Sequence, residues 1–137
     1  MRSIALRPLL VAMLFSVLGA CAAVSAHDDA AVDGVADGSD FTMQPGTQVM
    51  LADHGRLRFV RVAQDSRCKP DVQCIWAGDA EVVFQWTPAG ATTRDFTLHT
   101  GKEPRAQVLG NHRLTLVSLS RDPAREAMLR IERLPGP

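Results

Sequence analysis

The chain has 137 residues, with 15 Lys or Arg balanced by 15 Asp or Glu, and only 5% of its residues are aromatic. This length accommodates one small domain around one core rather than several domains. The basic residues are scattered along the chain rather than clustered, which argues against a nucleic-acid partner.

The first 20 residues are predicted to be a signal peptide. Arg2 and Arg7 form a positively charged start, and an apolar stretch follows from Leu9 to Leu18. A transmembrane helix needs about 20 apolar residues, so this stretch is too short to span a bilayer. The segment therefore indicates export rather than a membrane-spanning helix.

The apolar stretch ends in Leu18-Gly19-Ala20-Cys21, which resembles the lipobox of bacterial lipoproteins. The resemblance implies cleavage before Cys21 and acylation of both its sulfur and its amino group, with palmitate-type chains. Several acyl chains hold a protein stably on a membrane, whereas a single chain binds only marginally. The alternative is cleavage after Ala26, which would release a soluble protein that starts at His27.

Residues 21–40 are predicted to be the lipidated cysteine and a flexible acidic tether. Between residues 22 and 40 there are five Asp, no Lys or Arg and no aromatic residue, so the segment lacks the apolar surface needed to order itself. Without the signal and the tether, 13 basic and 10 acidic residues remain in 41–137. We interpret this small excess of basic charge as a solvated surface.

The domain from residue 41 to residue 137 is predicted to be all-β, a small sandwich or partly open barrel of about six or seven mainly antiparallel strands. Short apolar runs alternate with turn sequences, and no segment has a sustained helical stripe. Composition alone would allow a helix over 124–133, but the alternation there favours a strand. The predicted strands are 47–52, 57–63, 80–87, 93–100, 113–119 and 127–134.

The clearest strand is 80–87, whose alternate residues form one apolar face: Ala80, Val82, Phe84 and Trp86. The turn Pro88-Ala89-Gly90 follows it, so 80–87 and 93–100 are predicted to form a hairpin. In 57–63 the apolar residues change face partway along the strand. That change predicts a bulge or burial on both faces.

The chain has three cysteines, which is an odd number for an exported protein. Lipidation of Cys21 would leave Cys68 and Cys74 as a pair, separated by five residues. An oxidising envelope compartment favours a disulfide between them. The chain-entropy model assigns about 2.4 kcal/mol of stabilisation to so short a loop.

Residues 65–80 read Asp-Ser-Arg-Cys-Lys-Pro-Asp-Val-Gln-Cys-Ile-Trp-Ala-Gly-Asp-Ala. This segment resembles one in small secreted and lipid-anchored bacterial proteins, mostly uncharacterised, which carry Asp-Ser-Arg-Cys-Pro, five residues between the cysteines and then Trp-Ala-Gly. Here Lys69 separates Cys68 from Pro70, which alters the loop path but not the cysteine spacing. The resemblance implies a secreted β-domain and brings no activity with it.

Two roles are open for this loop. In a structural role, Asp65 and Ser66 accept hydrogen bonds from backbone amides a few residues further on. Gly78 then allows a close backbone approach, and Trp76 covers one end of the core with its indole N–H bonded to a carbonyl. In the other role the loop is a recognition surface for a partner, built on Arg67, Lys69, Asp71 and Gln73.

No catalytic, metal or cofactor site is predicted. Ser66 lies outside any Gly-x-Ser-x-Gly elbow and has no histidine near it in sequence. An oxidised cysteine pair offers no thiolate to zinc. His54 and His112 fall in turn-like segments, and His99 points away from the predicted core. We interpret all three as solvated histidines.

The sequence thus predicts a lipid-anchored protein of the bacterial cell envelope, with a non-enzymatic β-domain that binds another envelope protein or stabilises an assembly. This function predicts an exposed patch or strand edge near the disulfide loop. Because Ala22 rather than Asp follows Cys21, the better-known lipoprotein sorting rules favour the periplasmic face of the outer membrane.

One alternative is a secreted, protease-inhibitor-like module in which the 65–74 disulfide loop presents Arg67 or Lys69 to a trypsin-like protease, since a preorganised loop lowers the ordering cost of binding. It would require residues 67–71 to extend into solvent instead of folding back over Trp76. A lesser alternative is a small-molecule carrier, which would need an unfilled cavity in the core.

Overall fold

The computed structural model describes residues 32–136, and within that range the chain forms strands and no helix. The predicted all-β class is therefore confirmed. In the same range, no helix is long and apolar enough to cross a membrane. The nine strands are β1 Val32–Val35, β2 Asp40–Met43, β3 Gln48–Leu51, β4 Arg56–Asp65, β5 Ala80–Thr87, β6 Arg94–His99, β7 Ala106–Leu109, β8 His112–Leu119 and β9 Ala127–Arg133.

The strands form two sheets, which we name the first and second sheets. The first sheet has the order β1-β3-β4-β5-β6, and the second has the order β2-β9-β8-β7. All neighbours are antiparallel except β1 and β3, which run parallel. The count exceeds the predicted six or seven because the four-residue strands β1, β2 and β7 are too short to show a period.

Buried apolar side chains from both sheets form one core. The first sheet contributes Leu57, Phe59 and Phe84, and the second contributes Leu116 and Leu129, all of them completely buried. The Phe59 and Phe84 rings lie 5.2 Å apart between centroids, a separation at which aromatic pairs attract. This single core is the expected solution for a domain built from two half-apolar sheets.

The predicted hairpin of β5 and β6 is confirmed. Every alternate residue of β5 from Ala80 to Trp86 is buried, and Phe84 pairs with Phe96 across the hairpin. Strand β9 is likewise a strand rather than a helix, with Ala127, Leu129 and Ile131 buried against the core. Period-two alternation thus identified both strands, because only one of their faces meets the core.

Strand β4 contains the predicted irregularity. Its pairing with β5 shifts register between Phe59 and Arg61 and again between Val62 and Gln64. Each shift inserts an extra residue, which turns the following side chains to the opposite face. As a result Phe59 is buried and Val62 also packs against the core, although in a regular strand these two side chains would point to opposite faces.

The folded domain begins before the predicted boundary at residue 41. Strand β1 pairs with β3, and β2 pairs with β9, where Asp40 faces Arg130 at 2.6 Å. Asp37, between β1 and β2, contacts Arg133 at 2.7 Å. Composition alone assigned 32–40 to the tether, but distant partners order these residues. The predicted signal peptide, Cys21 and the rest of the tether, residues 1–31, lie outside the described residues.

Candidate functional site

The loop between β4 and β5 is the candidate functional site. It leaves the first sheet after Asp65 and returns at Ala80, and these two residues form the last pair of the two strands. Within it Cys68 and Cys74 form the predicted disulfide, with Cα atoms 5.9 Å apart. Below the disulfide the two arms of the loop run close together, and we call this part, residues 65–68 with 77–80, the stem.

Backbone and hydroxyl hydrogen bonds join the two arms of the stem. The Ser66 amide donates to the Asp79 carbonyl at 2.8 Å, and the Asp79 amide donates to Ser66 Oγ at 3.2 Å. Gly78 has a φ of +70°, and a Cβ there would collide with the Ser66 carbonyl and with Arg67 Cα. Only glycine fits both the conformation and the contact, so Gly78 provides the close approach that the sequence predicted.

Arg67 is held inside the stem rather than presented to solvent. Its guanidinium forms a two-point contact with Asp65, at 2.8 and 2.7 Å, and its side chain is only 9% exposed. It also donates to the carbonyls of Leu119 at 2.6 Å and Ser120 at 3.2 Å. These bonds tie the stem to the end of β8. Most of the Arg67 side chain is therefore occupied within the stem, and its place in a recognition surface stays a prediction.

The charges of the stem stabilise one another. The hydrogen bonds from Arg67 hold the pKa of Asp65 below its ordinary value, and the same bonds raise the pKa of Arg67. Arg125 adds a second contact to Asp65 at 2.9 Å. Asp65 also accepts from the Arg67 amide at 3.2 Å, which is the local turn expected from the sequence. The stem is thus a preorganised base for the residues above it.

Above the stem, large apolar side chains point into water. Ile75 is 94% exposed, Trp76 is 83% exposed and Val72 is 53% exposed. We call these three residues the loop tip. The prediction that Trp76 covers the core is wrong, because the buried tryptophan is Trp86 on β5, with 3% exposure. Trp76 lies in the loop, beyond the last pair of β4 and β5, whereas Trp86 lies on the core face of β5.

Lys69, Asp71 and Gln73, the other predicted recognition residues, are exposed around the tip. The apolar members of this surface, Val72 and Ile75, were not among the predicted recognition residues. A signal for them exists: both are large apolar residues in a loop whose turn residues and disulfide exclude a strand. Such residues have no core face to occupy.

A cationic cleft lies beside the stem and the first residues of the loop. It has a volume of about 240 Å³ and is lined by Asp65, Arg67, Lys69, Pro70, Arg121 and Arg125. Asp65 neutralises part of this charge through Arg67 and Arg125. Lys69 and Arg121 form no ion pair among residues 32–136. Arg121 lies 52 positions after Lys69, so its place beside the loop was not predictable from spacing.

A second polar cluster lies beside the stem on the outer face of the first sheet. His99 Nδ1 is 2.6 Å from Asp79 Oδ2, and Lys102 Nζ lies 3.6 Å from Asp79 and 3.7 Å from Glu81. Burial tends to raise the pKa of Asp79, but bonds from the Gly101 amide and His99 outweigh it and lower the pKa. His99 faces away from the core as predicted, yet it is nearly buried.

Asp79, Glu81 and His99 are also the one group of the described residues whose side chains could converge on a metal ion. Lys102 already places a positive charge close to the carboxylates of both Asp79 and Glu81. The cluster is thus complete as an ion-pair network. The expectation that the protein carries no metal stays a prediction.

His112 departs from its expected solvated state. It begins β8 and is 1% exposed, with Nε2 2.8 Å from Asp37 and Nδ1 3.6 Å from Asp53. These carboxylates belong to the β1–β2 connection and the β3–β4 turn, so His112 joins three parts of the chain. His54 occupies that same turn with a φ of +62° and is exposed.

Comparison with known proteins adds no assignment. No protein-family model, no curated protein and no solved structure matches the chain.

Proposed function

We propose that this protein is a lipid-anchored component of a bacterial cell envelope, attached through Cys21, whose β-domain is a non-enzymatic binding module. The contact surface is the loop tip, Val72, Ile75 and Trp76, with Lys69, Asp71 and Gln73 around it. The proposed location is the periplasmic face of the outer membrane. The disulfide supports an oxidising compartment, because such bonds persist outside the cytoplasm.

The observation that carries the proposal is the exposure of Ile75 and Trp76 above a rigid stem. Exposed large apolar side chains grouped together mark interaction sites more often than they mark ordinary surface. Tryptophan is enriched among the residues that dominate binding energy. A disulfide and the Arg67–Asp65 lock reduce the entropy that binding has to remove.

The polar groups near the tip support a binding role over catalysis. Ser66 Oγ bonds to the backbone of Asp79, and the guanidinium of Arg67 is occupied by Asp65 and two carbonyls. These bonds position the stem, and they hold the hydroxyl and the guanidinium in place. We therefore propose no reaction for this surface and no cofactor.

The protease-inhibitor alternative is not favoured by any contact of the loop. Arg67 turns into the stem instead of extending into solvent. Lys69 remains exposed, but Pro70 follows it directly and the apolar tip rises beside it. The tip residues have no role in presenting a basic side chain to a protease.

In-cell photocrosslinking tests the proposed contact surface. A photoreactive phenylalanine analogue is placed at position 76 and, as a matched control, at position 108, where Val108 is a half-exposed apolar residue of β7. We expect abundant adducts, to protein or to lipid, at position 76 and few at position 108. Mass spectrometry of the N-terminal peptide reports acylation of Cys21 in the same preparation. Equal, sparse adducts at both positions would contradict the proposed surface, and an unmodified Cys21 would contradict the anchor.

A further inference from the structure

The chemistry of the loop tip suits the interface of a lipid bilayer. Tryptophan is enriched at membrane–water boundaries because its ring is apolar while its N–H stays hydrated. Ile75 and Val72 supply aliphatic surface beside Trp76, and all three project from the same short loop. Because these three exposed side chains lie on one loop, they can insert together to a shallow depth into a bilayer surface.

The charge beside the tip complements an anionic surface. Lys69 and Arg121 line the cleft next to the loop without a partner carboxylate among residues 32–136, and Arg67 and Arg125 share the single carboxylate of Asp65. Asp71 in the loop and Asp122, which follows Arg121, are opposing charges, but the residues that line the cleft include four basic groups and one acidic group. The surplus is positive, and basic residues at a membrane surface are attracted to acidic headgroups.

The first described residue, Val32, is at the end of β1 that is directed towards the loop. Strand β1 runs parallel to β3 and antiparallel to β4, and β4 ends at the loop. Val32 is therefore the end of β1 that is directed towards the loop. Val32 lies level with Val49, Leu57 and Trp86, so the rise of β5 over the six residues from Trp86 to Ala80 puts the stem about 20 Å further on. Cys21 precedes Val32 by 11 residues, and a connection of that length spans up to about 40 Å.

We propose that the loop tip docks onto the surface of an anionic phospholipid bilayer, inserting Trp76, Ile75 and Val72 at the interface while Lys69 and Arg121 contact the headgroup phosphates. This inference rests on the proposed function and names the partner of the proposed contact surface. The protein then holds its own membrane at two points, the acylated Cys21 and the tip. An envelope protein as the occupant of the tip is the competing outcome.

Tryptophan fluorescence in vesicles tests the docking. The purified full chain is reconstituted in phosphatidylcholine vesicles with or without phosphatidylglycerol, and nitroxide-labelled lipids serve as quenchers. The chain has two tryptophans, so subtracting the Trp76→Phe variant isolates the emission of Trp76 from that of buried Trp86. We expect the Trp76 emission to shift to shorter wavelength and to be quenched by the labelled lipids, more strongly with phosphatidylglycerol than without it. High salt, or the double variant K69Q/R121Q, should reduce the difference between the two lipid mixtures.

A second measurement removes the anchor. The Cys21→Ser full chain is floated with the same phosphatidylglycerol vesicles, and the vesicle partition coefficient is compared with that of Cys21→Ser carrying Trp76→Ser or Ile75→Ser. Each tip substitution should lower the partition coefficient by about tenfold or more, because each removes a large inserted side chain. Val108→Ser in the same background serves as the matched control and should leave it unchanged.

The outcomes separate the two proposals. If Trp76 stays unquenched by labelled lipid and the tip variants float like the parent, the bilayer is not the occupant and the inference is wrong. Protein adducts at position 76 in cells would then preserve the binding module with a protein partner. Sparse adducts at both positions 76 and 108 would contradict the module itself.

Discussion

Replacing Arg67 should destabilise the protein far more than replacing its neighbour Arg125, although both contact Asp65. Arg67→Met keeps most of the side-chain volume in the stem but removes the two-point pair with Asp65 and the bonds to the carbonyls of Leu119 and Ser120. The Arg67 side chain is 9% exposed, so water is poorly placed to replace these bonds. The carbonyl oxygens of Leu119 and Ser120 would lose their hydrogen-bond donor and would carry a desolvation penalty.

The expected loss is about 2–4 kcal/mol of unfolding free energy. Breaking a buried ion pair costs about 3–5 kcal/mol, and the figure is lower here because Arg125 still compensates Asp65. Arg125→Met is the matched control, since Arg125 is 41% exposed and adds one contact to the same carboxylate. Exposed pairs contribute about 0–1 kcal/mol, so we expect Arg125→Met to lower the free energy of unfolding by no more than this amount.

Urea unfolding of the oxidised full chain, followed by circular dichroism, measures both values. Combining Arg67→Met with Asp65→Asn closes a double-mutant cycle, and we expect a coupling of about 1–3 kcal/mol. Equal losses for Arg67→Met and Arg125→Met, or a loss below about 0.5 kcal/mol for Arg67→Met, would refute the claim that Arg67 locks the stem.

Three further predictions concern the same loop. Gly78→Ala should lower the free energy of unfolding by about 2–3 kcal/mol, as measured by thermal or urea unfolding. Gly90→Ala, with a similar φ of +71° and open space around its Cβ, should lower it by less. The reverse order would contradict the close approach in the stem. Cys68→Ser should lower stability by about 2.4 kcal/mol and create one thiol that reacts with a maleimide, and an unchanged melting temperature would contradict it. Because Arg67 lowers the pKa of Asp65, the stability from this pair is present above the ordinary carboxylate pKa of 3.8 and is lost as the pH falls through the lower folded value. The urea midpoint should therefore decline less from pH 6 to pH 2 in Asp65→Asn than in the parent protein. If the midpoints of the two proteins declined in parallel, the Asp65–Arg67 pair would not be the source of this pH dependence.

Most of the fold was predictable because its longer strands have local signals. Strands β5 and β9 each bury one face, so apolar residues recur every second position and reveal the strand without reference to its partner. The disulfide followed from an odd cysteine count and a short spacing, and the structure confirms it. The register shifts in β4 were visible as a change of apolar parity.

The N-terminal strands had no such signal. Strands β1 and β2 are four residues long with one Asp each, and residues 22–40 contain five Asp and no Lys or Arg, a composition typical of a linker. Their order comes from partners remote in sequence: Asp40 contacts Arg130, and Asp37 contacts Arg133 and His112. Contacts between residues 90 or more positions apart cannot be inferred from local composition.

The loop between β4 and β5 separates local sequence information from the effects of tertiary packing. The sequence determined that residues 65–80 form an irregular, disulfide-closed connection with Gly78 at a close approach. It left the direction of each side chain open, because a loop has no period that assigns residues to a face. Packing decided that Arg67 turns inward, where Asp65 and two carbonyls satisfy it, and that Ile75 and Trp76 turn outward. Ile75 and Trp76 lie beyond the last pair of β4 and β5, so no strand face directs them to the core, whereas Trp86 lies on the core face of β5 and is buried.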